Sequence, residues 1–398
     1  MKKTSDLDRR GFLKASVLGC VGAAAVRGAI AGEEPDPDLD FEMEEPGAPE
    51  IRRFNVLGKT GLKVSDISLG MAREPSVLRY ALDRGINFFD TAEGYYDGQH
   101  EIALGRALGK RRDEIVVTTK HYIGAPGSVT KKELKDRFDE SLKRLGFEYV
   151  DIAMMHQVGD AGLFEDEAVL GAYEELKKAG KYRFLGFSTH DAENICPPAY
   201  ESGLFSAMMV YYNSVQYPER TELVREAAKR GIGVIAMKTM AGREQDNVAE
   251  MAEERTTYAQ AAIKWALEDP AVSSAVVTMR TFEHIDEYLQ ASGHRLTGKE
   301  NASLDRYRKL AGNRYCRMGC SECVSACPAG VAIPDVLRFG MYFENYGIEK
   351  HAMLEYARLE EGKRAAACRT CDGRCEAACP HGLSICDRLG RYDGLLRV

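Results

Sequence analysis

From Ile51 onward the chain alternates short apolar runs with longer stretches whose apolar residues recur every three or four positions. The runs fall at 65–69, 87–89, 114–119, 150–155, 183–186, 207–211, 233–237 and 275–277. Near-continuous apolar runs of this length predict parallel strands covered on both faces. The stretches between them predict helices. Thr130-Lys131-Lys132-Glu133 is a capping box, followed at helical spacing by Leu134, Phe138, Leu142 and Leu145 and stopped by Gly146. Leu170, Tyr173 and Leu176 repeat the stripe before Gly180, and 221–230 ends at Gly231 in the same way. Eight strand–helix units in roughly 250 residues predict an α/β fold of the closed (β/α)8 TIM-barrel kind over 51–300. An open doubly wound sheet is the alternative, but no Gly-x-Gly-x-x-Gly follows the first strand. The segments 53–56 and 62–64, around Gly58-Lys59-Thr60-Gly61, predict a hairpin ahead of strand one.

Composition narrows the classes. Basic residues number 54 and acidic ones 61, a formal charge of −7, and no long Lys/Arg run is present, so a nucleic-acid partner is not expected. No run approaches 18 uncharged apolar residues, so no stable membrane span is expected. Arg9-Arg10-Gly11-Phe12-Leu13-Lys14, an alanine-rich stretch and Ala29-Ile30-Ala31 together read as a twin-arginine signal peptide over 1–31, with the translocase as partner and a periplasmic destination. An amphipathic arm is the ordinary alternative. Val17-Leu18-Gly19-Cys20 also resembles a lipoprotein box, a secondary reading because the apolar run before it is short. Residues 32–50 are dense in Glu, Asp and Pro and read as a solvated acidic linker.

The cysteines change the picture. Nine of the eleven lie after residue 315. One set is Cys316-x3-Cys320-x2-Cys323-x3-Cys327-Pro328, the other Cys368-x2-Cys371-x3-Cys375-x3-Cys379-Pro380. Cys-x2-Cys spacing with a terminal Cys-Pro is a ferredoxin signature for [4Fe–4S] ligation, and soft thiolates suit soft iron–sulfur cubes. Zinc is the alternative for paired Cys-x2-Cys, and a disulfide set is a weaker one. About forty residues separate the sets. Val336, Phe339, Met341, Phe343, Tyr346, Met353, Leu354, Tyr356 and Leu359 predict helices there. Residues 301–398 therefore resemble the α-helical ferredoxin type. That resemblance implies that the fourth cysteine of each set crosses over, so that Cys316, Cys320, Cys323 and Cys379 hold one cluster and Cys368, Cys371, Cys375 and Cys327 the other. Both sets depart from strict x2-x2-x3 spacing, which leaves one cluster or two open. Cys386 is left over, and Cys196 reads as a buried, inert thiol.

Barrel chemistry belongs at the C-terminal ends of strands. Asp90 ends the second run, Tyr95 lies in the loop after it, Lys120 ends the third and His156 the fourth. Singly, each has an ordinary structural reading. Together, with Leu57-Gly58-Lys59-Thr60-Gly61-Leu62 at one end and Arg280-Thr281 at the other, they resemble the aldo-keto reductases over residues 51–292. The resemblance implies that Tyr95 is the acid/base for a carbonyl, with Lys120 easing loss of its proton, Asp90 holding the lysine and His156 orienting the carbonyl oxygen.

The same resemblance implies a nicotinamide cofactor, NADP or NAD. Its candidate contacts are Ser188 and Thr189 after strand five, Lys238 after strand seven, and Met279, Arg280 and His284 after strand eight. Thr189 stands where the family has Asn, Met209 where it has Gln, Met237 where an aromatic stacks, and His284 where it has Arg. The combined expectation is an exported iron–sulfur oxidoreductase interconverting a small carbonyl and its alcohol, with the clusters relaying electrons to a redox partner protein. Two alternatives stay open. One is an electron carrier with a degenerate barrel, the other a reductase whose clusters are structural.

Overall fold

The computed structural model describes residues 48–214, 221–240, 258–311, 316–317 and 319–397. The twin-arginine motif, the Ala31 cleavage site, Cys20 and nearly all of the acidic linker lie outside the described residues. Two short antiparallel strands, β1 (Phe54–Val56) and β2 (Lys63–Ser65), form the expected hairpin. Eight parallel strands follow: β3 (Ile67–Leu69), β4 (Phe88–Asp90), β5 (Val116–Tyr122), β6 (Val150–His156), β7 (Tyr182–Thr189), β8 (Ala207–Tyr211), β9 (Gly233–Met237) and β10 (Val272–Val277). They close into a barrel in chain order, β10 pairing with both β3 and β9. The TIM barrel expected from the apolar periodicity is the fold observed.

The helices around it are α1 (Pro75–Asp83), α2 (Gln99–Leu108), α3 (Lys131–Leu145), α4 (Glu167–Lys178), α5 (Ala192–Ser202), α6 (Thr221–Lys229), α7 (Tyr258–Glu268), α8 (Phe282–Leu289) and α9 (Gly298–Ala311). The capping box at Thr130 forms in full, and Gly146 ends α3 with φ of 67°. α9 carries the barrel past residue 300: Leu304 and Tyr307 are fully buried in the layer between strands and helices. The first run, read as one strand over 65–69, is broken. Asp66 turns inward to accept hydrogen bonds from Ser292 Oγ and Gly293 N, so the chain leaves the hairpin at Ser65 and enters the barrel at Ile67.

The hairpin plugs the N-terminal end of the barrel. Leu57 is wholly buried, and Lys59 N donates to Gly231 O at 2.6 Å. Gly58 sits at φ of 49°, where a Cβ would stand 2.3 Å from Gly233 N; only glycine fits this contact. With that end stoppered, chemistry has access only from the other.

The C-terminal region is helical: α10 (Ile333–Glu344), α11 (Glu349–Arg358), the short α12 (Arg374–Ala377) and α13 (Ile385–Leu396). α10 and α13 pack so closely that a Cβ on Gly340 would lie 2.2 Å from the Tyr392 ring. Tyr356 Oη donates to the buried Asp393 and accepts from Ala365 N, tying α11 to α13. The barrel-interior residues Phe88, Met154, Met209 and Met237 and the core of this region, including Val336, Tyr342 and Leu389, form one connected apolar cluster. Among the described residues no helix is long and apolar enough to cross a membrane.

Candidate active site and thiol clusters

Strand pairing sets the first contact. Asp90 of β4 lies opposite Thr118 of β5, and two residues on, Lys120 points the same way. Its ammonium donates to Asp90 Oδ1 at 2.6 Å, Asp90 Oδ2 at 2.7 Å and Thr91 O at 2.6 Å. Both side chains are at most 3 % exposed. Burial pushes the carboxyl up and the ammonium down, and their mutual attraction opposes both shifts. All three N–H groups of Lys120 are therefore engaged, and none reaches the Tyr95 hydroxyl. The ammonium lies instead 4.6 Å from the centroid of the Tyr95 ring. The lysine therefore stands near the phenol, as expected, on the side of its ring. Burial, then Asp90 and Tyr342, hold the Tyr95 phenol well above its usual range. At neutral pH it is a protonated donor.

His156 closes β6 with its ring 5.9 Å from that of Tyr95. Burial, with Lys120 and His351 adding to it, holds the imidazole well below its usual value, so it is neutral at pH 7. Tyr95, Lys120, His156 and Ser188 line one cavity of about 100 Å³. Asp90 and Tyr95 line an adjoining one of about 130 Å³, together with Lys238, Thr239 and Arg280. The structure brings the four barrel residues to one place. Four non-glycine residues of positive φ occur among the described residues, Tyr96, Asp97, Gln157 and Lys238, and three of them line the first cavity. Strain of this kind gathers where surrounding structure holds side chains in required positions.

The expected cofactor contacts divide. Lys238 borders both cavities and Arg280 the larger one. Thr189 is fully buried and donates to Val158 O at 2.7 Å, so it does not present a side chain to the cavity. Ser188 lines the smaller cavity, but its Oγ accepts from Gln157 N at 2.9 Å and pins that strained residue. Met279 is buried in the helix-facing core. His284 turns back to accept from Arg280 N at 3.3 Å and stacks on Tyr288. What remains fits a nucleotide: buried Arg280 Nε and Thr239 Oγ1 have no hydrogen-bond partner among the described residues, and both residues line the larger cavity.

Sequence reasoning missed two groups. His100, on α2, accepts from Ala72 N at Nε2 (3.0 Å), which leaves Nδ1 to donate to Thr91 Oγ1 at 2.8 Å. It thereby positions the residue whose carbonyl holds Lys120. Its place on the buried face of α2 was the only signal, and an ambiguous one. Tyr342 of α10, His351 of α11 and, from the segment between them, Tyr346 and Ile348 roof the cavity over Tyr95 and His156. Nothing local in the sequence marks that contact.

His100 yields a stability prediction. Burial pulls its imidazole from 6.5 to about 3. Between these values the unfolded chain binds a proton that the folded chain does not, so stability falls as pH drops through that window. The span amounts to roughly 5 kcal/mol by linkage. His100→Gln should flatten the curve of unfolding free energy against pH between about 6.5 and about 3 relative to wild type. Parallel curves from denaturant titrations would contradict this.

The thiols form two groups. Cys316, Cys320, Cys323 and Cys379 ring one cavity, next to Pro380. Cys327, Cys368, Cys371 and Cys375 ring a second, and Cys386, expected to be left over, lines it too, its Sγ 3.9 Å from Cys375 Sγ. Each group combines thiols from both sequence motifs. The ten described cysteines are unpaired thiols. Burial pushes Cys316 up to about 12 and Cys368 to about 11, a dry setting that favours thiolates only once a cation is supplied. Among the described residues no three His, Cys, Asp or Glu side chains converge on a point that would hold a single metal ion. Sulfurs spread around a cavity suit a cube, and tetrahedral zinc would draw them together.

A closed barrel with a buried Asp–Lys pair behind a mouth tyrosine defines a carbonyl-chemistry barrel joined to a thiol-rich module. Residues 68–309 match the aldo/keto reductase family, and the chain belongs to it. Residues 315–383 match the 4Fe-4S dicluster domain. The chain is 27% identical over 322 residues to L-glyceraldehyde 3-phosphate reductase of Escherichia coli, which covers 64% of this chain and 92% of that one. An Arabidopsis thaliana protein named "Probable voltage-gated potassium channel subunit beta" is 34% identical over 160 residues, 36% of this chain; the match spans about half (48%) of that relative's length. The crystal structure of an aldo-keto reductase from Klebsiella pneumoniae in complex with NADPH superposes with a TM-score of 0.55 and 27% identity, covering 64% of this chain and 94% of that one. The protein is an oxidoreductase of aldo-keto reductase type carrying a C-terminal iron–sulfur domain.

Proposed function

We propose that this oxidoreductase is exported by the twin-arginine route and interconverts a small carbonyl compound and its alcohol, with two [4Fe–4S] clusters relaying electrons to a redox partner. One observation carries the catalytic reading: a fully engaged Lys120–Asp90 pair lies beneath the ring of Tyr95, beside a neutral His156. When bound, a nicotinamide supplies the hydride. Arg280 and Thr239 would hold the nucleotide. His156 holds the carbonyl oxygen, and Tyr95 delivers the proton as charge develops there. Because burial keeps the phenol protonated, Tyr95 stands ready as the proton donor at neutral pH. Arg9-Arg10 and the apolar stretch behind it support export, and twin-arginine export of a folded chain lets clusters be inserted beforehand.

The relay reading rests on the two thiol groups. When present, the cubes carry single electrons. Cys371→Ser should remove the absorbance and EPR signals of one cluster in anaerobic protein and slow electron delivery, with the barrel fold retained. Loss of the whole fold would make the clusters structural. The electron-carrier alternative draws support from Thr189 and Met279 being turned away from the cavity. Nicotinamide nucleotide released on denaturation would exclude it.

A further inference from the structure

The two cavities beside Tyr95 are almost without acid. Among the described residues Asp90 is the single carboxylate lining either of them, and Lys120 occupies both its oxygens. Cations are present in excess. Lys238 stands at the end of β9 with φ of 53°, and its ammonium borders both cavities. It donates to Tyr211 Oη at 2.6 Å and to Tyr342 Oη at 2.8 Å. The rings of Tyr342 and Tyr346 lie 4.5 and 5.7 Å from it. Among the described residues no carboxylate comes within ion-pair distance of it. Arg338 lies on α10 one turn before Tyr342; it is paired with Asp335 at 2.6 Å, yet its buried Nε has no partner among the described residues.

Among the described residues this buried ammonium is held by phenols and has no counter-charge of the kind that normally makes such burial tolerable. Burial, with Arg338 adding to it, pushes the Lys238 amine well below its usual range. A small anion entering the cavity would supply the missing charge and complete three hydrogen bonds on the ammonium. Tyr342 would serve the same anion from the iron–sulfur side by donating its hydroxyl proton while its oxygen accepts from Lys238. We propose that the substrate carries an anionic group, a carboxylate or a phosphate, which Lys238 and Tyr342 hold while its carbonyl faces Tyr95 and His156. The proposal rests on the reductase reading above, and it makes the iron–sulfur domain a determinant of substrate choice as well as a carrier of metal.

The test uses full-length protein with its clusters intact and two matched pairs of carbonyl compounds. Succinic semialdehyde is compared with butanal for the carboxylate, and glyceraldehyde 3-phosphate with glyceraldehyde for the phosphate. The wild type should prefer the anionic member of at least one pair by about ten-fold or more in kcat/KM, the worth of a charge-assisted contact. Lys238→Met should remove most of that preference and Tyr342→Phe part of it. The pair that shows the preference identifies the anion. Calorimetric titration with succinate and with inorganic phosphate gives a readout independent of turnover. Binding of either that is lost in Lys238→Met supports the anion site even where no carbonyl is reduced, and in that case the reductase reading alone fails. Preference for neutral members, absence of binding to both anions, or a Lys238→Met effect confined to the KM of the nicotinamide nucleotide would overturn the proposal. Cluster absorbance checks folding, and if Lys238→Met is lost, Lys238→Arg should retain the preference that Tyr342→Phe weakens.

Discussion

Tyr95→Phe should lower kcat/KM for carbonyl reduction by about a hundred- to ten-thousand-fold, the usual worth of a positioned proton donor. The hydroxyl is the sole group removed, and the ring keeps its place between Lys120 and His156. Thermal unfolding and cluster absorbance should stay close to wild type. The pH profile provides a second check. Burial lifts the phenol, so wild-type reduction should hold its rate into the alkaline range and decline only where the tyrosine ionises. The residual activity of the variant should lack that decline. Unchanged turnover in Tyr95→Phe would remove the tyrosine from the chemistry.

Lys120→Met should be more damaging, because it removes two things at once. Asp90, almost wholly buried, loses the cation that both its oxygens contact, and breaking such a pair costs about 3–5 kcal/mol. Tyr95 also loses the charge beneath its ring. Denaturant unfolding should show the drop directly. Adding Asp90→Leu should restore a large part of the stability without restoring turnover, since an apolar pair of similar volume can replace a buried ion pair while the field on the phenol cannot be replaced. A double variant no more stable than Lys120→Met would show that the pair matters through packing alone.

How far the sequence could be read follows from the range of the interactions involved. The barrel was legible because each strand and helix announces itself locally: apolar runs for two-sided burial, the Thr130 box, the glycine stops. Asp90, Tyr95, Lys120 and His156 were legible as residues because strand ends map onto one face of a barrel. Their geometry was not, since whether Lys120 touches the hydroxyl or the ring of Tyr95 depends on Thr91 O competing for its third proton. Thr189 and Met279 fit a motif by position, but side-chain direction comes from packing that a motif does not encode. The mixed thiol groups and the roof of Tyr342 and His351 join residues far apart in the chain. The resemblance to the α-helical ferredoxin type implied the first, and nothing in the sequence hinted at the second.

The roof carries a consequence for anyone dissecting the protein. A shortened version ending after α9 would keep all eight barrel strands and the Asp90–Lys120 pair, yet it would not be a smaller copy of the enzyme. Water would flood the space above Tyr95, the phenol would lose the dry surroundings that raise it, and Lys238 would keep Tyr211 but exchange Tyr342 for water. Activity measured on such a fragment would describe a different catalyst, with its own acidity and its own tastes.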